Sequence, residues 1–261
     1  MAEPVGAIVP TPVQAVAVVV PAHDEQDLIG ACVAGIRQAA AHPALANVVV
    51  HLVVVLDDCR DASGWRAVAA LSAPDRTGTT MAATVISVSA RNVGRARALG
   101  AAQAFLTLGA IDAEAVWLAT TDADSVVPGD WLAHHLELRR GGADACAGTI
   151  VVDSWQEHTP STKRAFDAHY RPDGRMSFGH PHVHGTNLGV SMAAYLEAGG
   201  FSPLATGEDH ALWRALLKAG RPVVATPAAP VRTSGRRRGR SPAGFADTLI
   251  RLGADACVTP A

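Results

Sequence analysis

Four strand-length apolar runs, separated by segments with helical spacing, constrain the fold of this chain more than any other feature. The runs are "VAVVVPA", "VVVHLVVVL", "ATVISVS" and "AVWLATT". Runs rich in β-branched residues that do not alternate with polar residues are typical of strands buried on both faces. Between the first two runs, Leu28, Cys32 and Ile36 fall at helical spacing. We therefore expect an α/β fold with a mostly parallel central sheet and helices on both faces.

Polar side chains follow each of these strands. The clusters are His23-Asp24-Glu25, Asp57-Asp58, Arg91-Asn92 and Asp122 with Asp124. In an open α/β sheet, ligands bind beyond the carboxyl ends of the strands. All four clusters are therefore predicted to face one crevice.

Asp122 and Asp124 follow the fourth run directly and are separated by a single residue. In an extended segment such residues share a face, and two neighbouring carboxylates raise each other's proton affinity. A hard divalent cation, Mg2+ or Mn2+, commonly offsets that repulsion. A solvated turn is the alternative, because Asp and Ser are good turn formers. The convergence of four polar clusters favours the metal site.

Composition and charge exclude several classes of function. The chain has 261 residues, 49% hydrophobic and 18% charged, with a net charge of −2. Such a chain has no field that would recruit nucleic acid. Its four cysteines form no C-x-x-C pair, which suits the reducing cytoplasm. No apolar run is long enough to span a bilayer, so membrane contact would be peripheral.

The second half of the sequence is less regular than the first. Helices are predicted at 128–140, 193–198, 208–219 and 242–253, and strands at "ADACAGTIVVD" and "PVVATP". The stretch 154–187 is polar, with five histidines and few periodic apolar positions. P-loop, dinucleotide, H-E-x-x-H and G-x-S-x-G motifs are absent. Residues 1–14 are predicted to be a flexible lead-in, and no later linker divides the chain.

Six motifs together resemble a family 2 glycosyltransferase of the GT-A fold, in that family's order and approximate spacing. They are "VVVPAHDE", "VVVLDDCRDAS", "RNVGRARALGA", "TTDADS", "GTNLGVSMAAYLEAGGF" and "GEDHALWRAL". The resemblance covers about residues 15–225. It implies the fold of nucleotide-diphospho-sugar transferases, with a single domain over 15–261. Residues 15–127 would form its nucleotide-sugar half and 128–261 its acceptor half.

The resemblance also implies a sugar-nucleotide donor in the crevice. The nucleoside pocket would be lined by Pro21, Ala22 and Glu25. Asp57 or Asp58 would accept hydrogen bonds from the base, although both also suit capping of the following helix.

The diphosphate side of the donor site is implied by the same resemblance. Arg91 would touch the base or the diphosphate, and Gly94 would let a backbone approach closely. Asp122 and Asp124 match the D-x-D motif of the family. Asp124 is the expected ligand of a divalent cation (Mn2+ or Mg2+), and Asp122 a ribose, water-mediated or second cation contact.

Catalysis of sugar transfer requires a base that takes the proton of the acceptor hydroxyl. The resemblance places this base in "GEDHAL", with Asp209 as first choice and Glu208 as second, in an inverting reaction. Acidic residues also favour a helix start simply through the helix dipole.

The sequence departs from the family pattern in two ways. The segment "PVRTSGRRRGR" lacks the histidine that many members place there as a metal ligand. Either a histidine of "HPHVHG" (His180, His182 or His184, with His184 as the choice) replaces it, or Arg236, Arg237 and Arg238 neutralise the diphosphate directly. His182, His184 and Asn187 are alternative acceptor contacts, and a solvated loop is the alternative for the arginines. Q-x-x-R-W is also absent, which favours transfer of a single sugar.

Two other classes of function are alternatives to a sugar transferase. "DADSV" also fits the D-x-D-x-[TV] motif of haloacid-dehalogenase-type phosphatases, but that motif normally follows the first strand, not the fourth. A catalytically silent nucleotide-sugar-binding module is the remaining alternative. The donor base, the sugar and the acceptor are not specified by the sequence.

Overall fold

The computed structural model describes residues 10–74, 81–170 and 182–258, with side chains up to residue 254. Residues 1–9 of the predicted lead-in, and His180, lie outside the described residues. The strands are β1 (Ala15–Ala22), β2 (Val49–Asp57), β3 (Ala82–Val88), β4 (Val116–Thr120), β5 (Ser125–Val126), β6 (Ala145–Val152), β7 (Leu188–Ser191) and β8 (Val223–Thr233). The helices are α1 (Ile29–Ala40), α2 (Ser63–Leu71), α3 (Val93–Leu108), α4 (Trp131–Arg140), α5 (Pro160–His169), α6 (Met192–Glu197), α7 (Glu208–Lys218) and α8 (Phe245–Val258).

One eight-stranded sheet, in the order β3-β2-β1-β4-β7-β6-β8-β5, runs through both predicted halves. Strands β3, β2, β1 and β4 are parallel, so their carboxyl ends share one edge. Beyond β4 the sheet is mixed, because β7 is antiparallel to both of its neighbours and β5 is antiparallel to β8. The expected α/β fold with a mostly parallel sheet is confirmed.

Both faces of the sheet are buried, as the continuous apolar runs predict. Val16, Val18 and Val20 of β1 belong to a core that includes residues of α1 and α4. Val19 lies on the opposite face, in a core with residues of α3, α6 and α7. In the described part of the chain, no helix combines the length and apolar character needed to cross a bilayer.

The second half differs from the sequence prediction in two elements. Helix α5 lies inside the polar stretch 154–187, where no helix was predicted. Thr159 caps it by accepting a hydrogen bond from the backbone N–H of Thr162, and Pro160 occupies its first turn. Its buried face contains only one large apolar residue, Phe166, which explains the weak periodic signal. Strand β8 extends to Thr233, beyond the predicted "PVVATP".

Gly100 in α3 packs closely against the sheet, and Gly30 in α1 is a control glycine with open space around it. A Cβ at Gly100 would lie 2.5 Å from Val19 Cγ1 and 2.9 Å from Val55 Cγ2, whereas one at Gly30 in α1 would have nothing within 4 Å. We expect Gly100→Ala to lower the free energy of unfolding by about 1–3 kcal/mol through overpacking. The matched Gly30→Ala should raise it by up to about 1 kcal/mol through helix propensity. Denaturant unfolding measures both, and a stabilising Gly100→Ala would contradict this account of the packing.

Candidate active site

A cavity of about 870 Å³ opens at the carboxyl ends of the parallel strands. It brings together most of the residues predicted from the sequence, although they come from β1, β2, the loops after β1, β3 and β4, the segment before β7, the start of α7 and the β8–α8 segment. The predicted residues that line it are Pro21, Ala22, Glu25, Asp57, Arg91, Asp122, Asp124, His182, His184, Glu208, Asp209 and Arg236.

Asn187 and Gly94 do not line the cavity. Asn187 is buried, where its Oδ1 accepts from Trp131 Nε1 (2.8 Å) and its Nδ2 donates to Thr149 O (2.9 Å). Asn187 therefore stabilises the protein interior and does not face the cavity. Gly94 allows a close approach, as predicted, but of the chain's own backbone: a Cβ there would collide with the carbonyl oxygens of Ser202 and Leu204.

Arg237 and Asp58 also lie outside the cavity wall. Arg237 is exposed, and its backbone N–H donates to Glu157 Oε2 (3.0 Å). Asp58 pairs with Arg91, whose hydrogen bond is the main cause of the lowered pKa of Asp58. Asp58 therefore positions Arg91, and its predicted contact with a base stays a prediction.

The loops after β1, β2 and β3 each contain one strained residue. Asp24, Asp58 and Arg91 have φ angles of 51°, 51° and 47°, in the left-handed region. Such strain costs about 1–3 kcal/mol per residue and clusters at functional sites. The buried carboxylate of Asp57 holds the β3–α3 loop by accepting backbone N–H bonds from Arg91 (2.8 Å) and Asn92 (3.0 Å).

A buried arginine that the sequence analysis did not single out joins the two acidic motifs. The guanidinium of Arg97, on α3, pairs with both Asp122 and Glu208, and its Nε donates to Thr120 Oγ1 (3.2 Å). Burial alone would lower the pKa of Arg97, but the carboxylates of Asp122 and Glu208 raise it. The sequence contains one signal for it: Arg97 precedes Gly100 by three residues and Ala101 by four, so it shares their buried face of an Ala-rich helix.

The two aspartates of the D-x-D motif have different partners. Asp122 pairs with Arg97 through Oδ1 and accepts a hydrogen bond from Thr186 Oγ1 through Oδ2. Asp124 accepts from Ser125 Oγ through Oδ1 (3.1 Å) and lies 2.9 Å from Arg236 Nη2 through Oδ2. Burial, with repulsion from Asp122, raises the pKa of Asp124 to about 6.

The arginine-rich segment after β8 folds over the edge of the cavity formed by the loop after β1. Arg236 forms a bidentate pair with the buried Glu25, at 2.8 and 2.6 Å. Arg240 Nη2 donates to the backbone oxygen of Asp24 (2.8 Å). Within this segment Arg236 is therefore part of the site, whereas Arg237 is solvent-exposed.

The charge on the cavity wall fits a cation that accompanies an anionic ligand. Among the described residues that line it, six carboxylates face four guanidinium groups. A diphosphate would add negative charge to this surface, and a cation shared between Asp124 and the phosphates would offset it. Mg2+ is usually held in this way, by one or two carboxylates plus substrate phosphates.

A second group of potential metal ligands lies outside the cavity wall. Asp24, Cys59 and Asp61 form the three-ligand grouping found in the described ranges. Their oxygens are already engaged: Asp24 Oδ1 accepts from Arg60 N (2.7 Å) and Asp61 Oδ2 from Gln26 N (3.0 Å). These bonds join the loop after β1 to the loop after β2, so the group stabilises the two loops.

The start of α7 separates the two candidate bases. Glu208 is buried against Arg97, and burial raises its pKa. Asp209 is only partly buried: its Oδ2 accepts from Gly185 N (2.8 Å) and its Oδ1 from His210 N (2.7 Å). Of the two, Asp209 is the carboxylate oriented by backbone bonds without an arginine partner among the described contacts.

Stacked rings form another part of the cavity wall. Tyr170 stacks on His182, with centroids 4.1 Å apart and planes at 10°, and on Phe166 at 4.6 Å. Tyr170 also shares a hydrogen bond with Nε2 of His184. Burial lowers the pKa of His184 to about 4, so its ring is neutral at pH 7. Nε2 is thus occupied, which leaves Nδ1 for any metal or acceptor contact.

Arg97 can be tested as the group that holds the site together. We expect Arg97→Met to lower the free energy of unfolding by about 3–5 kcal/mol, because two carboxylates lose their buried partner. Adding Glu208→Gln should recover part of this loss, since one of the unpaired charges is removed. Denaturant unfolding at pH 7 measures both, with the exposed Arg140→Ala as control. Additive effects of the two substitutions would argue against the pairing.

The sequence of this chain matches a known protein family, and its fold matches solved structures. The family profile described as "Glycosyltransferase like family 2" matches residues 12–253. A comparison with curated proteins found no match to the sequence.

Similar solved structures share the fold at low identity. A mannosyltransferase from Pyrobaculum calidifontis with GDP-Man and Mn2+ has a TM-score of 0.63 and 17% identity, covering 95% of this chain and 71% of that one. S. aureus TarS 1–349 with UDP-GlcNAc has a TM-score of 0.60 and 12% identity, covering 94% and 66%. Glucosyl-3-phosphoglycerate synthase from Mycobacterium tuberculosis with Mg2+ and UDP has a TM-score of 0.52 and 15% identity, covering 95% of this chain and 81% of that one.

The chain spans 65–66% of the length of the TarS 1–349 chains, which is less than two thirds. At these identities the likeness shows the fold alone, and it is the GT-A-type fold that the sequence motifs imply.

Proposed function

Because the chain belongs to the family described as glycosyltransferase-like family 2, we propose that it moves a single sugar from a nucleotide-diphosphate sugar to an acceptor hydroxyl. One observation carries the proposal: Asp124, after β4, and Asp209, at the start of α7, line the same cavity. A cation-binding carboxylate and a base are the two groups that such a transfer needs on opposite sides of the reacting carbon.

The donor side of the proposal rests on the strand ends. The nucleoside would lie against Pro21 and Ala22 at the end of β1, with Arg91 towards the base or diphosphate. The solved relatives contain UDP-GlcNAc, GDP-Man with Mn2+, and UDP with Mg2+, so donors of this class are the ones to test. A divalent cation on Asp124 would supply Lewis-acid stabilisation of the leaving diphosphate.

On the acceptor side, Asp209 is our proposed general base. It would take the hydroxyl proton as the acceptor oxygen bonds to the anomeric carbon, while the bond from that carbon to the diphosphate breaks and its electron pair leaves with the phosphate. Such a single displacement inverts the anomeric centre. The hydrogen bonds from Gly185 N and His210 N would hold the carboxylate in place during this step. The stacked rings around Tyr170 are the proposed acceptor surface.

Donor binding is the first prediction of this function. UDP-, GDP- and dTDP-sugars would be screened by thermal shift, each with Mn2+, Mg2+ or EDTA. A ligand that binds only the folded state at about 100 times its Kd should raise the melting temperature by about 5 °C. We expect one nucleotide class to do so and the shift to vanish in EDTA. A shift that persists in EDTA would reject the cation requirement, and no shift with any donor would reject the donor site.

The base assignment gives a separate prediction. Asp209→Asn should retain the donor-induced thermal shift but release nucleoside diphosphate about 100-fold more slowly or worse, with water or a panel of hydroxyl compounds as acceptor. Transfer at the wild-type rate would exclude Asp209 as base. A wild-type protein that binds donor but releases no nucleotide with any acceptor would favour the catalytically silent module. Cytoplasmic location and the absence of a nucleic-acid partner stay predictions.

A further inference from the structure

Arg236 occupies the position on Asp124 that a cation would need. Its Nη2 lies 2.9 Å from Asp124 Oδ2 and 2.6 Å from Glu25 Oε1, and its Nη1 lies 2.8 Å from Glu25 Oε2. The other oxygen of Asp124 accepts a hydrogen bond from Ser125 Oγ, which in turn contacts Thr233 Oγ1 (2.8 Å). A cation on Oδ2 would therefore lie against the guanidinium of Arg236, whereas Oδ1 already accepts the hydrogen bond from Ser125.

A guanidinium and a divalent cation bound to the same oxygen repel each other. Both would lie within about 3 Å of one atom, and their mutual repulsion in a buried site is much stronger than in water. The side chain of Asp124 is 15% exposed and that of Arg236 is 21% exposed, so solvent screens the pair only weakly.

We propose that Arg236 and the divalent cation compete for Asp124, and that the diphosphate of an arriving donor resolves the competition by drawing the guanidinium onto itself. The first half rests on the geometry of Arg236 and on the cation site proposed at Asp124; the second half rests on the proposed donor as well. Cation and donor would then bind cooperatively, because each favours the arrangement in which Arg236 has left Asp124.

The displacement requires little movement of the arginine. Glu25 holds both Nη atoms of Arg236, so the guanidinium can turn away from Asp124 and keep one of these bonds. A second cavity of about 500 Å³ lies on the other side of the pair and shares Asp124, Ser234 and Arg236 with the first. The Asp124–Arg236 contact is therefore part of the wall between two open spaces, and forked guanidinium donors suit phosphate oxygens.

The competition is tested with Mn2+ alone, through the EPR signal of the free ion at pH 7.5, without nucleotide. Arg236→Ala should bind Mn2+ about tenfold more tightly than the wild type, because the competing charge is gone. The exposed Arg140→Ala removes the same charge away from the cavity and should leave the affinity unchanged. Asp124→Ala in the Arg236→Ala background should abolish the gain, which would locate the ion.

Nucleotide addition tests the second half. With UDP or GDP present, the wild type should gain more Mn2+ affinity than Arg236→Ala does. Circular dichroism and melting curves establish that each variant is folded, and Arg236→Gln serves as a second variant of similar size.

Equal Mn2+ affinity of the wild type and both folded Arg236 variants, without nucleotide, would overturn the competition. A gain that survives Asp124→Ala would do the same. If no variant binds any nucleotide while the Mn2+-only difference persists, the proposed donor site fails but the competition stands. If nucleotides bind with Mn2+ and Arg236 has no effect, only the competition fails.

Discussion

The buried guanidinium of Arg97 is the interaction on which the site depends. It joins Asp122, at the end of β4, to Glu208, at the start of α7, from a third element, α3. The paired carboxylates belong to parts of the chain that are far apart in sequence. Because the ion pairs are buried, loss of one partner would leave an uncompensated charge and lower the free energy of unfolding. Because Arg97 holds Glu208, the adjacent Asp209 is left to face the cavity. The geometry of the proposed base thus follows from a residue that itself need touch no ligand.

A second arginine repeats this arrangement at the edge of the cavity formed by the loop after β1. Arg236 pairs with Glu25 and Asp124, so each aspartate of the D-x-D motif has its own guanidinium. The two pairs differ in surroundings: Arg97 is almost fully buried, whereas Arg236 lies between two cavities. A buried pair is suited to hold a structure, and a pair beside open space is suited to exchange partners. This difference is the physical basis for assigning a fixed role to Arg97 and a movable one to Arg236.

The sequence predicted the first half of the fold, and it predicted that acidic residues after the strands would face one cavity. Asp122 and Asp124 lie where the alternation of strands and helices placed them, because side-chain periodicity is a local property. The missed features have specific reasons. Helix α5 has one large buried apolar residue, too few for a periodic signal. Asn187 lies in a motif that matches the family, yet its amide satisfies Trp131 and backbone oxygens of the interior.

By itself, the sequence determined which segments are strands, which are helices, and that acidic and basic residues follow the strands at one edge of the sheet. Tertiary structure alone decided which guanidinium meets which carboxylate. Arg236 and Glu25 are 211 positions apart, and Arg97 and Glu208 are 111 apart. Local periodicity indicates the face of a helix or strand on which a residue lies. It does not indicate which residue of a distant segment contacts that face. The charge pairs in the cavity could therefore be identified only from the tertiary structure.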